Sequence, residues 1–86
     1  MRLDKFLKVS RLIKRRTIAK DVTDQGRVSI NGNVAKASSN VKEGDLITIK
    51  YGQKNTTIKV LAVKESSKKE EVDEMYELIN EEKAGE

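Results

Sequence analysis

The side chains best suited to chemistry in this sequence are the arginines and lysines near its start. Eight of the first 20 residues are Lys or Arg. Arg15 and Arg16 are adjacent, and the planar fork of a guanidinium group can hold two phosphate oxygens at once. Scattered lysines usually mean a solvated surface, but clustering of this kind favours a surface that binds a polyanion.

The charge is unevenly distributed along the chain. Residues 1–50 contain 12 Lys and Arg against five Asp and Glu, a net charge of +7, whereas residues 51–86 carry −3. We therefore expect only the first part of the chain to face a polyanion.

Catalysis and metal binding are disfavoured by the residue types that are missing. The 86 residues include no His and no Cys, which removes the commonest metal ligand, the usual general base and every thiolate. No glycine-rich phosphate loop or paired-carboxylate motif is found. We interpret Asp4, which lies close to Arg2 and Lys5, as an ion-pair partner and not as a catalytic acid. The sequence thus predicts a protein that is not an enzyme and has no cofactor or metal.

Two helices are expected to position the basic residues. Leu3, Phe6 and Leu7 have the spacing of one buried helix face, which leaves Lys5 and Lys8 on the other. In the basic linker that follows, over residues 11–16, Leu12 and Ile13 are expected to reach the core.

The second helix is predicted from its ends. Thr17 is the expected N-cap, and Gly26 is the left-handed residue that commonly follows a helix end. Ile18, Ala19 and Val22 are expected to form the buried stripe of this helix.

After Gly26 the pattern becomes that of strands. Asn31-Gly32 predicts a type I′ hairpin turn between a strand containing Val28 and Ile30 and a returning strand at Val34 and Ala35. Two further strands are predicted over 46–51 and 56–63. The predicted fold class is α+β, with two N-terminal helices packed on a small, mostly antiparallel sheet, plus a short C-terminal helix.

The tail is treated as a separate element. Ser67 and Glu70 have capping-box spacing, and a helical stripe follows at Val72, Met75, Tyr76 and Ile79. We therefore divide the chain into an RNA-binding domain over 1–64 and an acidic amphipathic helix and tail over 65–86. This helix either packs on the domain or docks a partner protein. The longest apolar runs are only a few residues, so we expect no membrane span and no membrane partner.

Folded RNA is the polyanion that fits these features best. Aromatic residues are too few for a base-stacking platform, and Phe6 is expected to be buried, so contacts to phosphates and 2′-hydroxyls should dominate. A DNA-binding helix-turn-helix is disfavoured because the second helix is short and exposes Asp21 and Asp24. The candidate RNA-binding residues are Arg2, Lys5, Lys8, Arg11, Arg15, Arg16, Thr17, Lys20, Asn31 and Lys36.

Four motifs in this order resemble the S4-type RNA-binding domain, also called the αL motif. They are Arg2-Leu3-Asp4-Lys5-Phe6-Leu7, Arg15-Arg16-Thr17, Gly26-Arg27-Val28-Ser29-Ile30-Asn31-Gly32 and Gly44-Asp45. The resemblance covers about residues 1–52 and implies the S4-like fold. Within that family, the chain looks most like the small RqcP proteins of bacterial ribosome-associated quality control, which are related to the heat-shock ribosome-associated S4 protein.

This resemblance implies a function and a set of partners. It implies binding to rRNA of the large ribosomal subunit and to the peptidyl-tRNA that obstructs it. There the RqcP family supports C-terminal alanine tailing together with RqcH, and Arg2 and Arg16 match the basic positions ranked first for RNA contact. We further expect a monomer, and the absence of Cys fits the reducing cytoplasm. Two alternatives remain open: a general ribosome-assembly or structural rRNA-binding protein, and an RNA-targeting subunit of an RNA-modifying enzyme.

Overall fold

The fold is described from a computed structural model, which defines residues 1–52, 54–64 and 74–83. These residues form two helices, α1 (Leu3–Val9) and α2 (Arg16–Asp24), and five strands, β1 (Val28–Ile30), β2 (Asn33–Val34), β3 (Leu46–Tyr51), β4 (Lys54–Val60) and β5 (Tyr76–Lys83). The strands form one sheet of order β2-β1-β3-β4-β5, in which neighbouring strands are antiparallel. The predicted α+β class, with two N-terminal helices and a small antiparallel sheet, is confirmed.

The core lies between the helices and one face of the sheet. Leu3, Phe6 and Leu7 of α1 are completely buried, as the helical spacing predicted. They belong to the same apolar cluster as Ile47 and Ile49 of β3, which alternate with more exposed neighbours as period-2 strand residues do. Burial of these side chains fixes α1 against the sheet and so determines where its polar face points.

The N-terminus of α1 is held by the segment that follows β2. The backbone N–H of Leu3 donates to the carbonyl of Ser39 at 2.8 Å, and that of Asp4 donates to the carbonyl of Ala37 at 3.1 Å. The next N–H, of Lys5, donates to the Asp4 carboxylate at 2.8 Å. The first donors of α1 are therefore used within the protein and are not left for an anion.

The end of α2 and the hairpin after it follow the sequence signals. Gly26 has a φ of 73° and its N–H donates to the Thr23 carbonyl, while the N–H of Arg27 donates to the Val22 carbonyl. These two bonds form a Schellman motif. At the turn between β1 and β2, Asn31 and Gly32 both have positive φ, 52° and 86°, which confirms the type I′ turn.

The prediction that Thr17 caps α2 is wrong. The N-cap residue is Arg15, in an extended conformation and without a side-chain cap, and the helix begins at Arg16. An ion pair between Arg16 and Asp4 of α1 holds Arg16 in the first turn. The start of α2 therefore does not follow local capping preference, and its first residue contacts the other helix.

The predicted C-terminal helix is also wrong where the structure describes it. Residues 76–83 form β5, which pairs with β4 from Val60↔Tyr76 to Lys54↔Lys83. Met75, just before the strand, is completely buried, but Ile79 of the proposed helical stripe is 50% exposed. The open edge of β4 supplies hydrogen-bond partners for the whole segment, and this pairing overrides the local helical spacing. Ser67, Glu70 and Val72 lie outside the described residues.

Candidate nucleic-acid interface

The Arg–Asp4 cluster, which consists of Arg2, Asp4 and Arg16, joins the two helices. Arg2 Nε lies 3.2 Å from Asp4 Oδ1, and Arg16 Nε lies 3.3 Å from Asp4 Oδ2. The Asp4 side chain is 4% exposed, whereas the side chains of Arg2 and Arg16 are 53% and 48% exposed. A buried carboxylate thus orients two half-exposed guanidinium groups toward one surface.

The carboxylate is ionised at neutral pH. Burial raises the pKa of Asp4, but hydrogen bonds from Arg16, from the Lys5 backbone N–H and from Arg2, with the charge of Arg16, outweigh burial. The pKa therefore lies below its usual value, and both arginines face a full negative charge.

Three of the predicted residues line a common groove. The basic groove has a volume of about 460 Å³ and is bordered by Arg2, Lys20 and Lys36. It lies between the C-terminal half of α2 and the segment over 34–38. Because Arg2 belongs both to the groove and to the Arg–Asp4 cluster, the two features form one continuous basic surface.

The remaining predicted residues on the helical side of the fold lie on the helices and in the connection between them. Lys8 lies in the last turn of α1, Arg15 caps α2 and Thr17 follows in its first turn, and all three are exposed. Lys5 is half-buried on α1. Arg11 is exposed and has a φ of 64°, a left-handed conformation that costs a non-glycine residue about 1–2 kcal/mol.

Asn31 has a role inside the protein that the sequence did not indicate. Its side-chain amide donates to Asp45 Oδ1 at 3.1 Å, and its carbonyl oxygen accepts the backbone N–H of Leu46 at 3.0 Å. These bonds tie the hairpin turn to the start of β3. Asn31 therefore has a structural role in addition to the RNA contact predicted for its amide.

Two parts of the site were not found from the sequence. The pairing of Asp4 with Arg16 spans 12 positions, and only the pairing with the nearby Arg2 was visible locally. The apolar lining of the basic groove was also missed, because Val34, Ala35 and Ala37 were interpreted only as strand or loop residues. Neither feature has a local sequence signal, because each depends on contacts between segments that are distant along the chain.

Metal and membrane signals are absent from the described part of the chain. No group of three or more acidic, His or Cys side chains that could hold a metal ion occurs among these residues. Neither α1 nor α2, the helices within them, is long and apolar enough to cross a membrane.

Comparison with known proteins identifies the class to which this fold and surface belong. Residues 1–47 match the S4 domain family, so this is an S4-domain protein. The chain is 65% identical over 86 residues, 100% of both chains, to the RQC P-site tRNA stabilizing factor of Bacillus subtilis (strain 168). The chain belongs to the family of RQC P-site tRNA stabilizing factors, which confirms the resemblance stated from the motifs.

Solved structures support the same fold. A trimeric structure of Vibrio cholerae Heat Shock Protein 15 superimposes with a TM-score of 0.85 at 31% identity, covering 92% of this chain and 81% of that one. The solution structure of the hypothetical protein HP1423 gives a TM-score of 0.81 at 33% identity, covering 93% of this chain and 98% of that one. The S4-like fold predicted from the sequence is thus confirmed.

Proposed function

We propose that this protein is an RNA-binding factor of ribosome-associated quality control that stabilises tRNA in the P site of the large ribosomal subunit. The observation that carries the proposal is the Arg–Asp4 cluster, in which a buried acid orients two half-exposed arginines on the basic surface. The name of the Bacillus subtilis relative, identical at 65% of positions, supports the specific role.

The geometry of the cluster suits phosphate binding. Arg2 uses Nε and Nη2 to reach Asp4, at 3.2 and 3.4 Å, which occupies two of its five N–H donors. The donors that remain are those a phosphate needs, and their direction is fixed by the buried acid. An acid this close to bound phosphates would weaken a surface that worked by charge alone, so any benefit of Asp4 to RNA binding lies in orientation of the two arginines.

The RNA-binding residues remain those predicted from the sequence, with Arg2 and Arg16 in first place. The basic groove adds Lys20 and Lys36 to the same surface. Phe6 is completely buried and cannot stack on a base, which supports recognition through phosphates and 2′-hydroxyls.

The proposed partners are rRNA of the large subunit, peptidyl-tRNA and the tailing factor RqcH. A small rigid domain that touches rRNA and tRNA together binds far more tightly than through either contact alone, because the second contact becomes intramolecular. The protein would act in the cytoplasm, as a monomer and without catalysis of its own, by retaining the tRNA while RqcH brings the next alanyl-tRNA.

Alanine-tail length on a stalled reporter protein tests this function. Cells lacking the protein are complemented with the wild type, with Arg16→Ala or with Lys59→Ala, a matched loss of one exposed cation on β4. We expect short or absent tails with Arg16→Ala and normal tails with Lys59→Ala. Tails of normal length in cells without the protein would refute the role in quality control and favour a general ribosome-assembly protein.

A further inference from the structure

The inner side of the basic groove is apolar. Ala35 and Ala37 line it and are 7% and 6% exposed, and Val34, which also lines it, is 72% exposed. Val34 is the most exposed large apolar residue in the described part of the chain, and it lies in the edge strand β2. Phosphate binding does not require such a lining, because phosphates prefer polar and charged groups.

The border of the groove has the opposite character. Arg2, Lys20 and Lys36 bring three positive charges against the one negative charge of Asp24. The Ser38 hydroxyl and the Asp24 carboxylate add groups that can accept hydrogen bonds from a base or from a ribose 2′-hydroxyl. An apolar lining beneath a cationic border complements a nucleotide, whose flat base is apolar on its faces and whose phosphate is anionic.

Only an unstacked nucleotide can place the face of its base against this apolar lining. The volume of the groove, about 460 Å³, lies in the range of about 300–1,000 Å³ typical of sites for small ligands. Within an RNA duplex the faces of the bases are covered by their neighbours, and only bases in bulges, loops and ends are free to leave the stack.

We propose that the basic groove binds one unstacked nucleotide of the RNA, with its base against Val34, Ala35 and Ala37 and its phosphate on Arg2 and Lys36. This inference rests on the proposed RNA-binding function and adds a preference for bulged over fully paired RNA. The Arg–Asp4 cluster contributes to binding of both bulged and fully paired RNA, while the groove distinguishes between the two.

Two RNA hairpins with the same stem test the proposal, one fully paired and one with a single bulged 2-aminopurine. We expect the full-length protein to bind the bulged hairpin at least about fivefold more tightly, the effect of covering part of one valine side chain. Emission from 2-aminopurine should change when the complex is saturated, because the base moves into an apolar environment.

Val34→Asn should lower the affinity for the bulged hairpin to that for the paired hairpin and so remove the preference. Leu78→Asn is the matched control, since Leu78 is a 55% exposed residue in the other edge strand, β5. Equal wild-type affinity for the two hairpins, unchanged 2-aminopurine emission, or an intact preference in Val34→Asn would overturn the groove proposal alone. Arg16→Ala should weaken binding to both hairpins equally, and failure of the wild type to bind either one would refute RNA binding itself.

Discussion

Replacing Asp4 by asparagine separates orientation from charge as the basis of RNA binding. The substitution raises the net charge by one unit, so a surface that works by charge alone should bind RNA more tightly. In the wild type the Lys5 backbone N–H donates to Asp4 Oδ1 at 2.8 Å. Asparagine keeps an oxygen that can accept this hydrogen bond, so α1 should still form. It loses the charge that holds Arg2 and Arg16, and binding that depends on their orientation should weaken.

The magnitude follows from the geometry of the cluster. Both arginine side chains are about half exposed, at 53% and 48%, whereas the Asp4 side chain that holds them is only 4% exposed. Immobilising a long side chain on binding costs about 0.5–1.5 kcal/mol, and the bonds to Asp4 meet part of that cost in the free protein. Both arginines lose this benefit in Asp4→Asn, and the added positive charge offsets part of the loss. We therefore expect the substitution to weaken RNA binding by about 1–2 kcal/mol, or about 5- to 30-fold in affinity.

Binding to purified large subunits carrying peptidyl-tRNA measures this effect. Asp21→Asn is the matched control, because Asp21 is an exposed acid on α2 and its loss changes the net charge equally. We expect Asp21→Asn to bind as the wild type does or slightly more tightly. Orientation by Asp4 would be refuted if Asp4→Asn bound as tightly as Asp21→Asn.

Four further outcomes are expected from the same surface. Arg16→Ala should weaken subunit binding by about 1–3 kcal/mol, the scale of one charge-assisted contact, and Lys59→Ala should leave the measured Kd unchanged; equal losses would mean that the binding surface is misplaced. Affinity should fall with salt at a log–log slope of about −3 to −4.5 if about five phosphates are contacted, and a flat titration would exclude a polyanion ligand. The pKa of Asp4 is lowered in the folded state, so the Asp4 carboxylate stabilises the fold above about pH 4, and this stabilisation is lost as the pH falls through the folded-state pKa. The free energies of unfolding in urea of the wild type and Asp4→Asn should therefore differ at neutral pH and converge in acid. A difference that stays constant with pH would contradict this. Arg11→Gly should raise the free energy of unfolding by about 0.5–1 kcal/mol by relieving the left-handed conformation, and it should weaken subunit binding. An increase in both the free energy of unfolding and the affinity for the subunit would mean that Arg11 does not contact RNA.

Features encoded by neighbouring residues were predictable from the sequence. The spacing of Leu3, Phe6 and Leu7 determined the buried face of α1, and Asn31-Gly32 determined the hairpin turn, because each signal depends on a few adjacent positions. Features that depend on distant partners were not predictable. The Met75, Tyr76 and Ile79 pattern suits a helix locally, and only the free edge of β4 makes the segment from Tyr76 onward a strand.

The candidate site divides in the same way. The basic residues were visible as a charge cluster, and the resemblance to the S4-type domain ranked Arg2 and Arg16 first. The structure brings these two side chains onto one carboxylate. The bond between Asp4 and Arg16 depends on how α1 packs against α2, which no local pattern reports. The basic groove depends likewise on the approach of the 34–38 segment to α2.

Sedimentation with free large subunits tests the central claim most directly. The proposed role predicts that the protein sediments with subunits that retain peptidyl-tRNA and that it is released when the tRNA is removed, since the rRNA contact alone is too weak to hold it. Arg16→Ala should behave as though the tRNA were absent. Equal sedimentation of the wild-type protein with subunits that carry tRNA and with subunits stripped of it would contradict the claim that it stabilises the tRNA.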